Sequence, residues 1–270
     1  MEIIDFHTHI FPDRIARQAV AKLAEESGEY QPRTDGTLSG LLVSMDSAGI
    51  ATSVVANIAT RPSQALPILE FCRHLQGPRI VPTISFHPHN TLNDVDFLFA
   101  EASRMGIRGV KLHPMYQGFF IDDRNMFPFY QLIEHYGFFV IFHTGLDIAF
   151  PGNLQADVGR VKSLAEQFRD LTIVVTHVGG WRQWDRAGML GRLENVYTET
   201  SMTLTEMDDE AFLRLLSQFD DERVLFGSDS PWTDQKEMLE RTLRLAMPDS
   251  RKERLFFRNA MSLLQGEGAV

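Results

Sequence analysis

Cysteine is nearly missing from this chain: Cys72 stands alone among 270 residues. One thiol forms no internal disulfide, which fits a reducing compartment. Long apolar runs are missing too. None approaches the roughly 18 residues that a membrane helix needs, so a membrane partner is not expected. Positive charge is in deficit, with 26 Lys and Arg against 36 Asp and Glu and a net charge of −10. That balance argues against general affinity for nucleic acid or anionic lipid. It leaves room for a small anionic substrate, because a metal ion and a few basic groups dominate locally. No basic stretch leads into an apolar core near Met1, so no signal peptide is expected and the expected location is cytoplasmic. No linker, low-complexity tract or block of like charge interrupts the sequence, and residues 1–270 are read as a single domain.

What the chain has is a recurring unit. Eight apolar, strand-like runs stand at Glu2–His9, Thr52–Ile58, Ile80–Phe86, Gly109–His113, Phe138–His143, Thr172–His177, Asn195–Ser201 and Val224–Asp229. Several are apolar throughout, the pattern of strands buried on both faces of a parallel sheet. Amphipathic helical patterns lie between them, at Ser39–Gly49, Leu92–Met105, Met126–Tyr136, Asp157–Phe168, Asp208–Phe219 and Gln235–Ala246. Alternating strands and helices of this number predict an α/β fold, a (β/α)8 barrel of the TIM type with some distortion. An open doubly wound sheet is the other architecture such alternation allows. The stretch between His9 and Ala51 is longer than a connection needs. Its segment from Gly28 to Gly36 reads as an insertion after strand one, either a lid or contact over the barrel mouth or a plain surface loop.

Residue types that bind metals recur where these runs stop. His7-Thr8-His9 places two imidazoles on one face of a strand. His113, His143, His177 and Asp229 end later runs. In a barrel the C-terminal ends of strands converge on one point, whereas in an open sheet the first and eighth lie far apart. Imidazoles and a carboxylate suit a catalytic divalent ion with an open position, zinc first, with manganese or iron also compatible. Such an ion makes hydroxide available near neutral pH. A carboxylate beside it can take the water's proton and return it to a leaving group, and Asp229 is the candidate for that role.

These residues carry a family resemblance. His7-Thr8-His9, His143, His177 and Asp229 resemble the amidohydrolase superfamily. Gly109-Val110-Lys111-Leu112-His113-Pro114, Thr176-His177-Val178-Gly179-Gly180 and Gly227-Ser228-Asp229-Ser230-Pro231 are similar to motifs of its branch that includes aminocarboxymuconate semialdehyde decarboxylase and pyrone-dicarboxylate lactonase. The resemblance covers residues 2 to about 232. It implies one divalent metal, most simply Zn2+ with Mn2+ as the other option, held by His7, His9, His143 and Asp229. His177 lies close by in this reading, polarising substrate or water, or acting as a further ligand. Other members carry a carboxylated lysine on the fourth strand, which makes a binuclear site with carboxylated Lys111 the alternative. In the mononuclear form Lys111 is free to bind an anionic group of the substrate.

The remaining candidates surround that centre. His113 shares a face with Lys111 and enters the site or supports it. Tyr116, Trp181, Arg182 and Trp232 follow strands four, six and eight, where barrel enzymes set specificity, and are expected to contact a flat or apolar small molecule, carboxylate-bearing in one reading. Met115, Phe119, Phe120 and Trp184 share those loops, and Glu199 ends strand seven. His87 and His89 form a second His-x-His, but Pro88 between them favours a turn. Asp5 reads as lying below His7 on the same face, orienting a ligand by a hydrogen bond. The expected reaction is metal-dependent hydrolysis of a small ester, lactone or amide. The alternative is non-oxidative decarboxylation of an unsaturated or aromatic acid, since the branch resembled holds both reactions on one ligand set. A homodimer is common on this architecture and is allowed, though no residue pattern requires it.

Overall fold

The computed structural model describes residues 2–266, and the elements, contacts and absences given are those of these residues. Eight parallel strands follow the sequence order: β1 Ile4–Thr8, β2 Thr52–Ala56, β3 Ile80–Thr83, β4 Gly109–Leu112, β5 Phe139–Phe142, β6 Thr172–Val175, β7 Val196–Glu199 and β8 Val224–Leu225. Strands β1 to β3 pair in order, and so do β4 to β8. Two seams join these sheets. At one, Ile84 N–H donates to Gly109 O at 2.9 Å and Lys111 N–H to Ile84 O at 2.8 Å. At the other, Phe6 N–H donates to Phe226 O and Asp229 N–H to His7 O, both at 2.7 Å. The seams close the sheet into a (β/α)8 barrel, with no free edge between first and last strands.

Observed strands stop a few residues before their expected ends, because the chain turns into the barrel mouth there. The expected helices match within three residues at either end. Helix Leu38–Ala48 starts where the Thr37 side chain accepts from Gly40 N–H and stops at Gly49, whose φ of 74° suits a residue without Cβ. Asp157, Asp208 and Asp234 cap later helices in the same manner. Several helices go beyond the sequence expectation, and two of them flank the barrel mouth. Asp13–Ser27 buries only Ala16 and Val20, too thin a stripe to read from periodicity. Ala65–Leu75 carries Pro67 in its first turn, where the missing N–H is harmless. No helix is long and apolar enough to cross a membrane.

Inside the barrel, Ile4, Phe6, Val54, Phe139, Ile141, Val174 and Leu225 form one apolar cluster, closed by Ala260 of the C-terminal helix Asn259–Gln265. A separate, larger cluster packs the outer faces of the strands against the helices. The register of β1 on β2 slips between Asp5 and Thr8: Asp5 pairs with Ser53, but Thr8 pairs with Val55. One extra residue in β1 reverses which side chains face inward beyond it. Phe6 therefore packs inside the barrel, and His7 and His9 still point into its mouth. Asp5 does not share their face. It meets Gln235 of the outer helix Gln235–Arg244, whose Nε2 donates to Asp5 Oδ2 at 2.7 Å. The expectation that Asp5 lies on the face of His7 fails for this reason: alternation was broken by the slip, and the hydrogen bond Asp5 makes to this residue goes to its backbone N–H. Asp5 accepts the backbone N–H groups of His7 at 3.2 Å and Ser228 at 2.9 Å, stitching β1 to the end of β8.

Candidate metal centre

The two imidazoles of His7-Thr8-His9 meet tip to tip, with Nε2 to Nε2 at 3.0 Å. Their other nitrogens are engaged. His7 Nδ1 lies 3.0 Å from Glu199 Oε1, and His9 Nδ1 lies 2.8 Å from Ala56 O. A carboxylate and a carbonyl only accept, so both Nδ1 atoms carry the proton and both Nε2 atoms carry a lone pair. Asp229 Oδ1 stands 3.1 Å from His9 Nε2 and 3.6 Å from His7 Nε2. That oxygen is buried and has no hydrogen-bond partner among the described residues. Three lone pairs thus converge with no proton between them, an arrangement that needs a cation.

His177 and His143 repeat the pattern. His177 Nδ1 faces Ser201 O at 3.2 Å, while His143 Nε2 faces Leu146 O at 3.0 Å. Their remaining nitrogens, His177 Nε2 and His143 Nδ1, approach to 3.4 Å, again lone pair to lone pair. Burial pushes the His9 imidazole down from its ordinary range and drives His143 and His177 to about 3, so all are neutral near pH 7. Neutral imidazoles whose second nitrogen is held by an acceptor are the form that binds a metal. The donor set fits a divalent ion of the zinc or manganese kind.

Local backbone places these groups. His177, Val178 and Asp229 have φ of 60°, 50° and 65°, left-handed conformations that cost side-chain-bearing residues about 1–3 kcal/mol each. They swing the side chains inward as the strands end. Gly227 precedes Ser228-Asp229 because a Cβ there would come within 2.2 Å of Glu199 Oε2. Gly145 lets the loop after β5 touch that after β6, where a Cβ would lie 2.2 Å from Trp181 N.

Glu199 holds this centre from below. It is fully buried, and its carboxylate receives His7 Nδ1–H, His177 N–H at 3.0 Å and Ser201 Oγ–H at 2.8 Å. Burial alone would raise its carboxyl, but His7, His177 and the Ser201 N–H bring it to about 2. Glu199 is therefore a positioning residue rather than a substrate contact.

Lys111 and His113 also line the mouth. Lys111 is 1% exposed, and its Nζ makes no hydrogen bond or ion pair among the described residues. Burial pushes it down from 10.5 to about 8 against the pull of Asp229, Glu199 and Asp147. His113 stacks on His143 at 4.3 Å and approaches Asp147 Oδ2 with its Nε2 at 3.2 Å. Asp147 was not anticipated from sequence; its spacing, four residues after His143, is the one available signal. Two further groupings, His7–His177–Asp229 and His113–His143–Asp147, each bring one ligand-type atom per residue within 4.8 Å of one another.

Of the loop residues, Tyr116, Trp181 and Trp232 line a cavity of about 480 Å3 above the centre. Arg182 does not line it. Its Nη2 donates to Glu29 Oε1 at 2.7 Å and its Nε to Glu206 Oε2 at 3.0 Å, and Tyr30 also donates to Glu206. The Gly28–Gly36 segment is thereby tied to the loops after β6 and β7, and Tyr30 reaches the cavity wall. His87, His89, Met115, Phe119, Phe120 and Trp184 are not among the lining residues.

The family model described as amidohydrolase matches residues 4–265. No curated relative matches the sequence. Among solved structures, an uncharacterised TIM-barrel protein of Bordetella bronchiseptica superposes with a TM-score of 0.80 at 23% identity, over 98% of this chain and 99% of its own. The 5-carboxyvanillate decarboxylase LigW2 of Novosphingobium aromaticivorans, with bound manganese, gives 0.73 at 12% identity, over 98% and 97%. A probable 2-pyrone-4,6-dicarboxylic acid hydrolase of Acinetobacter baumannii, with citric acid bound, gives 0.70 at 15% identity, over 98% and 100%.

Proposed function

The chain belongs to the amidohydrolase family, and from that premise we propose that it is a metal-dependent hydrolase of a small ester, lactone or amide bearing an acidic group. The carrying observation is the convergence of His7 Nε2, His9 Nε2 and Asp229 Oδ1, with both imidazoles held from behind and His143 and His177 adjoining. A divalent ion, zinc or manganese, supplies a Lewis acid and an activated water at such a donor set.

The chain's own groups account for the rest. Asp229 is placed to take a proton from the attacking water and hand it to the leaving group. His177 Nε2, lacking a proton, would accept a hydrogen bond from that water and so orient the water's oxygen toward the substrate carbon. Lys111 offers the substrate's acidic group a buried ammonium with no protein partner, where a charge-assisted contact is strong. Trp181 and Tyr116 form walls that exclude bulk water from the reacting carbon.

A second reading, non-oxidative decarboxylation of an unsaturated or aromatic acid, is favoured by Lys111. A buried cation beside the centre could equally hold a carboxylate that departs as carbon dioxide. Hydrolysis leads because Arg182, five residues after His177, is taken up by Glu29 and Glu206 and does not line the cavity. Arg182 is thus not available as a bidentate clamp for a departing carboxylate.

The test pairs metal analysis with two assays. Purified protein should hold about one zinc or manganese per chain, and Asp229→Asn should lose most of it. Loaded protein should release acid from aryl lactones or esters, and the variant should not. Carbon dioxide from aromatic acids, without acid release from lactones, would replace the first reading by the second. Absence of metal after reconstitution would overturn both.

A further inference from the structure

The cavity above the centre has two unlike ends. Among its lining residues the charged ones are Lys111, Asp147 and Asp229 at the centre, with Arg14 elsewhere on the lining. Much of the remaining wall is apolar and comes from two helices. In helix Asp13–Ser27, Ile15, Ala19 and Leu23 line the cavity at spacings of four residues, one face of the helix. That face is not the one that anchors the helix, since its buried residues are Ala16 and Val20. In helix Ala65–Leu75, Ile68 and Phe71 line the cavity, whereas Ala65, Leu69, Cys72 and Leu75 are buried in the core. Ile68 and Phe71 also pack against the core at their bases, whereas Ile15, Ala19 and Leu23 do not; each helix thus turns apolar side chains toward the same cavity.

Apolar side chains turned toward a water-accessible cavity gain nothing until something apolar covers them. Ile15 remains 43% exposed, while Ala19, Leu23, Ile68 and Phe71 are half-buried in the trough walls. A cavity of about 480 Å3 lies within the range that holds ligands well above a single ring in size. Its recessed shape suits a chain or ring, not the flat surface of another protein.

We propose that the substrate carries an extended apolar arm, alkyl or aryl, which lies in the trough between these helices while its acidic, reacting end sits at Lys111 and the His7–His9–Asp229 centre. The assignment of the reacting end rests on the function proposed above; that of the arm rests on the two stripes.

The experiment is a calorimetric titration of manganese-loaded protein with 4-alkylbenzoates, from unsubstituted benzoate to the hexyl homologue. Affinity should rise about 2- to 4-fold per added methylene. Ala19→Trp on one wall and Ile68→Asp on the other should each flatten that gradient, with circular dichroism reporting the fold. A flat series in the unmodified protein overturns the proposal. So does a gradient that both variants leave intact, or a dimer in sedimentation that both variants dissociate. The two readings fail separately. If benzoate and metal bind but the gradient is absent, the trough falls and the metal centre stands. If the gradient persists in protein that binds no metal, and Asp229→Asn changes no member of the series, the centre falls and the trough stands.

Discussion

His7 and His9 present Nε2 to Nε2 at 3.0 Å while Glu199 and Ala56 O hold their opposite nitrogens. The pair is preorganised against its own repulsion: neither ring can flip without leaving a buried acceptor unmet. A cation at such a site would be held tightly, because the cost of gathering the lone pairs is already met by the fold.

Glu199→Gln tests that preorganisation. The amide replaces one accepting oxygen by a donor, while His7 Nδ1–H, His177 N–H and Ser201 all donate toward the carboxylate. Metal affinity should fall about 10- to 100-fold, the usual effect of losing a partner behind a ligand. Competition titration with a chromophoric chelator reads this directly. Unchanged affinity would mean that the backbone alone orients His7.

The large features were legible in sequence because each rests on local chemistry. Apolar runs such as Phe139–Phe142 mark doubly covered strands, and ligand-type residues at their ends mark the mouth of a barrel. What was not legible depends on distant partners or on register. Glu199 lies 192 residues from His7 in the chain, so its role behind that ring has no local sign. Nothing in Ile4-Asp5-Phe6-His7 announces the extra residue that turns Asp5 outward. Helix Asp13–Ser27 escaped notice because its apolar residues are divided between the core and the cavity, which blurs any single stripe.

Lys111 links the site to pH. Burial lowers its ammonium from 10.5 to about 8. Between those values the unfolded chain binds a proton that the native chain does not, so this group's contribution to stability rises with pH across pH 8 to 10.5. Below pH 8 the full penalty of a buried charge is present. Lys111→Met should therefore be more stable than the unmodified protein at pH 7, on the order of 3 kcal/mol. The difference should shrink as pH rises through the window, while affinity for benzoate drops about tenfold or more. Urea unfolding at pH 7, 8.5 and 10 measures it; a difference independent of pH would remove the buried-ammonium account.

Arg182 fastens the insertion after β1 to the barrel. Its guanidinium binds both Glu29 and Glu206, and Tyr30 stands edge-on to Trp181 at 6.0 Å. Arg182→Ala should leave the metal content near that of the unmodified protein but speed proteolysis within residues 28–36 several-fold and raise KM more than it lowers kcat. Arg182→Lys should recover little, because a single ammonium cannot span two carboxylates as the planar fork does. Equal proteolysis rates in all three proteins would assign the anchoring of this segment to Tyr30 and Trp181 instead.

Asp5 carries the other seam. Its carboxylate accepts from His7 N–H, Ser228 N–H, the Ser228 hydroxyl and Gln235 Nε2, and Ser228 adjoins Asp229. In Asp5→Ala the hydroxyl and the amide can turn elsewhere, but the two backbone N–H groups cannot. Each unmet buried donor costs about 1–3 kcal/mol, so a loss of about 3–5 kcal/mol is expected. The loss should be partly reversed by saturating manganese, since binding at His7, His9 and Asp229 favours the closed seam by mass action. Thermal unfolding with and without the ion separates these effects. A variant destabilised by less than about 1 kcal/mol would show that the backbone bonds from Phe6 to Phe226 and from Asp229 to His7 close the barrel unaided.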